Sequence, residues 1–199
     1  MESLLKKAAS CAVAAAALSA SVAAHADLVT NGGFETGDFT GWTLSGDTSF
    51  TGVDTFAPHD GAYAAFSGSL GGVTISQTLA TQAGMHYVLQ FWLQIEADPN
   101  GNSIPNFFSA SWGGTPVAPA IVDSPAFGYT EFQYVLDASS ASTDLAFSFS
   151  NTPAFTDFDS VSVNVPEPTS LALALGALGI LAVVKRHPSK KPETVRLAS

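Results

Sequence analysis

Tyr87-Val88-Leu89-Gln90-Phe91-Trp92-Leu93-Gln94-Ile95 sets large apolar side chains at 87, 89, 91, 93 and 95 against a more mixed set at 88, 90, 92 and 94. A repeat of two puts successive residues on opposite faces of an extended chain, so this stretch predicts a strand with one face in a core. Outward from it, the alternation returns in Phe108, Ala110 and Trp112, in Phe132, Tyr134 and Leu136, and in Leu145, Phe147 and Phe149. Residues 73–79 (VTISQTL) form a shorter strand with Val73, Ile75 and Leu79 on one side, and Asp159, Val161 and Val163 close the series on a common face. Breaks such as Asp98-Pro99-Asn100-Gly101 and Gly113-Gly114-Thr115-Pro116 separate the strands, and no long amphipathic helix pattern lies between them. Many short strands at near-regular spacing predict an all-β fold, a single antiparallel β-sandwich or jelly roll over residues 27–164.

The two ends of the chain have a different character. Lys6 and Lys7 precede an apolar run over residues 8–18, and the stretch closes on Ala24-His25-Ala26. A basic start, a short apolar run and a small-residue site are the parts of a secretory signal peptide over residues 1–26. Signal peptidase would cut after Ala26, reading Ala24 and Ala26. Cys11 lies inside the apolar run rather than at its end, which argues against a lipoprotein. It is also the chain's single cysteine, so the mature protein is expected to hold no disulfide, thiolate metal site or cysteine nucleophile.

At the other end, Val165-Pro166-Glu167-Pro168-Thr169-Ser170 leads into 14 wholly apolar residues, 171–184, followed by Lys185, Arg186, Lys190 and Lys191. At 1.5 Å per residue that run covers about 21 Å, short of the roughly 30 Å hydrocarbon core of a bilayer. A transmembrane helix over residues 169–184 recruits Thr169 and Ser170 and thins the bilayer locally. The basic tail, residues 185–191, favours a cytoplasmic end. A buried core helix is the other reading of the same residues.

Charge is distributed just as unevenly. Residues 27–165 contain no Lys or Arg, yet hold 14 of the 17 acidic residues. Nucleic-acid binding rests on cations that neutralise phosphates, so that class is excluded for the domain. A carboxylate buried here has no Arg partner; it must be neutral, hydrogen-bonded or bound to a metal.

Pro166-Glu167-Pro168, the short apolar span and the basic cluster together resemble the PEP-CTERM sorting signal over residues 165–191. The resemblance implies handling by an exosortase, an integral-membrane transpeptidase-like enzyme of Gram-negative bacteria that also make exopolysaccharide. The protein is then expected to be exported, held in the inner membrane by its C-terminal helix, and processed at or near the Pro-Glu-Pro motif. Delivery to the cell surface or extracellular matrix would follow. Pro166 and Pro168 suit this by keeping the segment extended. The polar tail, residues 192–199, makes the ending longer than is usual in the family.

The middle of the chain has its own likeness. Leu28-Val29-Thr30-Asn31-Gly32-Gly33-Phe34-Glu35 with Gly41-Trp42, the His59-Asp60-Gly61-Ala62-Tyr63-Ala64 segment, the stretch from Gln77 to Trp92, and Phe158-Asp159-Ser160-Val161-Ser162-Val163 resemble galactose-binding-like jelly rolls, including carbohydrate-binding modules of the 4/9/22 type. The family commonly has a second acid where this chain has Ser160. The resemblance implies core positions for Trp42 and Trp112. It also implies a structural Ca²⁺ held by Glu35 and Asp159 with backbone carbonyls near Asp60, in keeping with the six to eight oxygens Ca²⁺ takes.

Gln90, Trp92 and Gln94 point away from the apolar face of their strand. A Trp stacks on the apolar face of a pyranose while amides pair with its hydroxyls, so these three are the candidate glycan contacts. Packing on a half-buried sheet face is their other reading. No catalytic motif occurs, and the domain's two histidines, His59 and His86, lack metal-ligand spacing. The expectation is a non-catalytic envelope or matrix protein that binds glycan or associates with exopolysaccharide. The alternative is a structural or adhesive surface protein that binds other proteins and no sugar.

Overall fold

The stretch that decides the fold lies in β5 (His86–Ile95), whose buried and half-buried side chains alternate from residue 87 to residue 95 after an exposed His86. The structure, a computed structural model, describes residues 27–152 and 154–166. The signal peptide with Ala24 and Ala26, and the sorting segment from Glu167 and Pro168 onward, lie outside the described residues. Pro166 is the last of those described and is exposed.

The described residues form two antiparallel sheets and no helix, which is the expected sandwich. One sheet runs in the order β1 (Thr43–Gly46), β4 (Val73–Ala80), β10 (Ser142–Asn151), β6 (Asn106–Trp112), β7 (Thr115–Pro116), with β8 (Ile121–Val122) also on β6. The other runs β2 (Thr51–Asp54), β3 (Ala64–Ser67), β11 (Thr156–Asn164), β5, β9 (Phe127–Asp137).

Between the sheets the inward faces interleave around Phe91. Its ring lies 5.5 Å from Phe108, 5.4 Å from Phe132, 5.3 Å from Phe147 and 5.5 Å from Phe158. Leu89, Leu93, Leu145, Phe147 and Val163 are wholly buried beside it, and Trp42 and Trp112 are core residues as expected. Truncating a ring so placed costs about 3–5 kcal/mol. Residues 27–166 fall within one compact unit whose core comes from its own strands, so the unit carries what it needs to fold alone.

The closing strand departs from the sequence expectation. Phe158 pairs with Leu93 and Asp159 with Trp92, but the next pair is Ser162 with Gln90. Three steps on β11 match two on β5, which is a β-bulge, and Ser160 takes the left-handed backbone it needs at φ 55°. The extra residue flips the side-chain alternation. Asp159 therefore stands opposite Trp92 on the outer face, while Val161 and Val163 turn into the core. The expected common face for Asp159, Val161 and Val163 is corrected accordingly.

The first residues close against this same strand. The Leu28 amide donates to the Val163 carbonyl at 3.0 Å, and the Val163 amide donates to Asp27 Oδ1 at 2.9 Å. Val161 N donates to Gly32 O at 2.9 Å, an approach so close that a Cβ at Gly32 would lie 1.9 Å from the Val161 carbonyl oxygen. Only glycine fits there. Entry and exit of the domain are thus adjacent.

Candidate functional site

The outer face of the five-stranded sheet is built from the side chains that β5, β9 and β11 do not send into the core. Gln90, Trp92 and Gln94 project there from β5, all half-buried. Register places Gln133 and Ser162 on either side of Gln90, and Glu131 and Asp159 on either side of Trp92. The three residues singled out from the sequence therefore share one face, as the period of two requires.

What covers that face was not foreseen. The connection from β2 to β3, residues 55–63, folds over it and lays the His59 ring on the Trp92 indole, centroids 3.9 Å apart and planes 17° from parallel. Tyr129 meets His59 edge-on at 5.2 Å, and its hydroxyl donates to the Ala57 carbonyl at 2.7 Å. One face of Trp92 is therefore already stacked. Gln94 is engaged as well, donating from Nε2 to Asp157 Oδ2 at 2.9 Å. Gln90 has no side-chain partner among the described residues. The sequence marked His59 as the start of a segment resembling jelly rolls and as lacking metal-ligand spacing, not as a ring partner for Trp92; no local pattern announces a stack across 33 residues.

Two carboxylates hold this strap down. Asp159 Oδ2 accepts the amides of His59 at 2.9 Å and Asp60 at 3.1 Å, and Oδ1 accepts the Ser160 amide. Glu35 accepts the Ala62 amide with both oxygens, at 3.0 and 3.1 Å, and the Tyr63 amide with Oε1 at 3.1 Å. Gly61 lies so close that a Cβ would come within 2.3 Å of Glu35 Oε1, and its φ of +67° suits glycine on conformational grounds too. Asp60 turns its own carboxylate to the Gly61 amide at 2.8 Å.

Glu35, Asp60 and Asp159 are thus brought to one place, and Glu35 and Asp159 both border Gly33. As tests of a Ca²⁺ site, these contacts divide. Two carboxylates bordering one glycine, in a domain without Lys or Arg, are suitable in kind. The backbone groups turned toward them, however, are amide N–H rather than the expected carbonyls. Among the described residues no cluster of three His, Asp or Glu side chains is placed to hold a metal.

Burial without cations shows in the electrostatics. Asp159 is fully buried, and this raises its pKa above the ordinary carboxylate value against the opposing pull of its three amide donors. Asp157, beside Gln94, is pushed up to about 7, chiefly by burial and then by the Glu96 charge, with Asp54 adding to it; the Gln94 hydrogen bond works the other way. Burial also raises the Tyr129 phenol, and the charges of Asp157, Asp159, Glu96 and Asp54 add to this. The second acidic group, Asp157 with Glu96 and Asp54, was missed by sequence reading because its members are spread over three segments.

No family model matches the chain, and no curated protein matches it by sequence. Among solved structures it is similar to TmCBM61, solved in complex with β-1,4-galactotriose, at a TM-score of 0.57 and 20% identity over 70% of this chain and 99% of that one. A family 16 carbohydrate binding module-2 aligns at 0.50 and 17% identity over 68% of this chain and 98% of its own. The K1 cleaved adhesin domain of the Lys-gingipain of Porphyromonas gingivalis W83 aligns at 0.50 and 15% identity over 67% and 95%. At these identities the likeness shows the fold: the described domain is a β-sandwich of the kind found in carbohydrate-binding modules.

The raised pKa of Asp157 has a consequence for stability. Between the unfolded value near 4 and about 7 the folded state holds a proton that the unfolded state has released. This contribution is full below that window and is lost as pH rises through 7. Asp157→Asn keeps the Gln94 contact and removes the titration. In urea titrations at pH 4 to 8, wild type is expected to lose on the order of a few kcal/mol more than the variant across the window. Parallel pH profiles for the two proteins would contradict the assignment.

Proposed function

We propose that this is an exported, non-catalytic glycan-binding protein whose sandwich binds polysaccharide on the outer face of its five-stranded sheet. The observation that carries the reading is the aromatic cluster of Trp92, His59 and Tyr129 set among Gln90, Gln133 and Glu131. Aromatic rings offer stacking surface and the amides and carboxylate offer hydrogen bonds, the combination a pyranose needs. Carbohydrate-binding modules among the similar folds support it, and the domain's lack of Lys and Arg favours a neutral sugar over an anionic one. The protein is delivered to the cell surface or matrix through an exosortase acting at Pro166-Glu167-Pro168; the support for this is the sequence resemblance, and the exposed position of Pro166 just after β11.

A second reading, a surface adhesin that binds proteins and no sugar, is favoured by Phe50, Phe56 and Leu70, which are 68%, 86% and 73% exposed on connections between strands. Structural Ca²⁺ at Glu35 and Asp159, near Asp60, belongs to the proposal too. The support for it is the pairing of two carboxylates with no basic side chain to balance them. When bound, the ion would brace the strap that the amides of His59, Asp60, Ala62 and Tyr63 fasten to these carboxylates.

On a glycan array the purified domain, residues 27–166, is expected to bind a neutral polysaccharide. Trp92→Ala should weaken that binding about thirtyfold or more, the scale of an aromatic anchor. A blank array together with capture of a specific surface protein decides for the adhesin. For Ca²⁺, chelator should lower the melting temperature of wild type and leave Glu35→Gln unmoved; an unchanged wild type removes the ion and leaves the amide clasp. For sorting, intact-mass measurement in an exosortase-bearing host should show loss of the chain that follows the Pro-Glu-Pro motif, residues 185–199 included. Retention of those residues there reduces the tail to a plain anchor.

A further inference from the structure

Among the described residues the two sheets have four edges, and three of them are blunted. β1 and β2 are four residues each, and β7 and β8 are two each, with Pro116 in β7. Short strands and Pro are common means of keeping a sheet edge from pairing with another chain. The fourth edge has neither. β9 runs for 11 residues without Pro or Lys, and its ladder with β5 is unbroken from Thr130 to Asp137.

Backbone groups alternate in direction along this strand. The Ala138 amide donates to the Met85 carbonyl at 3.0 Å, so residues 136, 134 and 132 turn their amides and carbonyls to β5. Residues 131, 133 and 135 turn theirs outward. The Asp137 carbonyl fits the pattern, since it accepts the Trp112 indole N–H at 2.9 Å. No backbone bond from another segment reaches Glu131, Gln133 or Val135 among the described residues. All three are exposed, Val135 to 70%. On the core side Phe132, Tyr134 and Leu136 are only half-buried, because no strand lies beyond them.

The geometry points to β9 as a dimer edge: two copies of this chain pair β9 with β9, antiparallel, about a two-fold axis at Gln133. The strand is self-complementary in that register. Glu131 of each copy stands opposite Val135 of the other, and Asp137 opposite Tyr129, so no acid faces an acid. An axis at Glu131 sets that residue against itself, and one at Tyr134 sets it against Asp137. An axis at Phe132 engages only residues 130–134 of the unbroken stretch, and one at Val135 only 133–137, against 130–136 for Gln133. The Gln133 axis also lays each Phe132 beside a Tyr134, an aromatic cross-strand pair. Each chain has one such edge, so the pairing closes on itself and does not propagate. A strip about 30 Å long and one strand thick falls below the roughly 800 Å² per partner of a standard interface, which makes the dimer weak and concentration-dependent. The joined sheet keeps both outer faces on one side, with the two Trp92 positions roughly 20 Å apart. The pairing does not rest on what that face binds.

Sedimentation of the domain, residues 27–166, from about 1 µM to about 1 mM should show monomer passing to dimer. Residues 27–166 hold 14 acids and no Lys or Arg, so high salt should strengthen the dimer by screening repulsion; pairing with a basic partner would weaken instead. Hydrogen exchange should protect the Glu131, Gln133 and Val135 amides only in the concentrated sample. Val135→Lys sets a Lys opposite Glu131 twice over, so it should tighten the dimer about tenfold, against the usual effect of an edge Lys. Val135→Glu should loosen it by a similar factor. Val122→Lys, exposed on β8 of the other sheet, changes the net charge equally and should shift the dimer less than about twofold. Gln133→Pro removes an amide that β5 does not use and should leave a folded monomer; should it fail to fold, the Val135 variants still decide. A monomer at every concentration, a dimer protected at other amides, or Val135→Lys acting no differently from Val122→Lys overturns the assignment.

Discussion

Asp159 is fully buried in a domain that contains no Lys or Arg, and it finds its counter-charge in backbone amides. The amides of His59, Asp60 and Ser160 converge on its two oxygens, and Glu35 takes those of Ala62 and Tyr63. A buried carboxylate left without donors costs several kcal/mol, so the strap cannot lift without exposing that cost. Much of the outer face follows from this constraint. The strap lies where the carboxylates need it, His59 is thereby laid on Trp92, and Tyr129 is closed in beneath it with its hydroxyl on Ala57.

The bulge at Ser160 is what lets Asp159 keep that face while Val161 and Val163 enter the core. Were β11 regular along its whole length, Asp159 would share the side of Val161 and Val163, in a core ringed by phenylalanines. One inserted position thus separates the apolar and the polar halves of β11. It also fits the neighbouring chain, because Gly32 packs against the Val161 carbonyl just after the bulge.

The sandwich was legible because its longer strands alternate cleanly. In β5, β6 and β10, each residue named for the inward face is buried, and Trp42 and Trp112 pack as foreseen. In β9 the same alternation shows as half-buried against exposed, since that strand is the edge of its sheet. The closing strand was misread at Asp159 because a bulge adds a residue without any local composition signal. The site was half legible. Gln90, Trp92 and Gln94 share the outer face because a period of two dictates it. Their occupancy by His59 and Asp157 depends on pairs 33 and 63 residues apart in the chain, which no spacing rule reaches.

The adjacency of the domain's two ends shapes how it bears load. A pull applied at Pro166 enters β11, the middle strand of its sheet, bonded to β3 on one side and β5 on the other. The same strand is stapled to the first residues at Asp27 and Leu28 and fastened to the strap at Asp159. Such a pull therefore meets three attachments at once, far along the chain from one another.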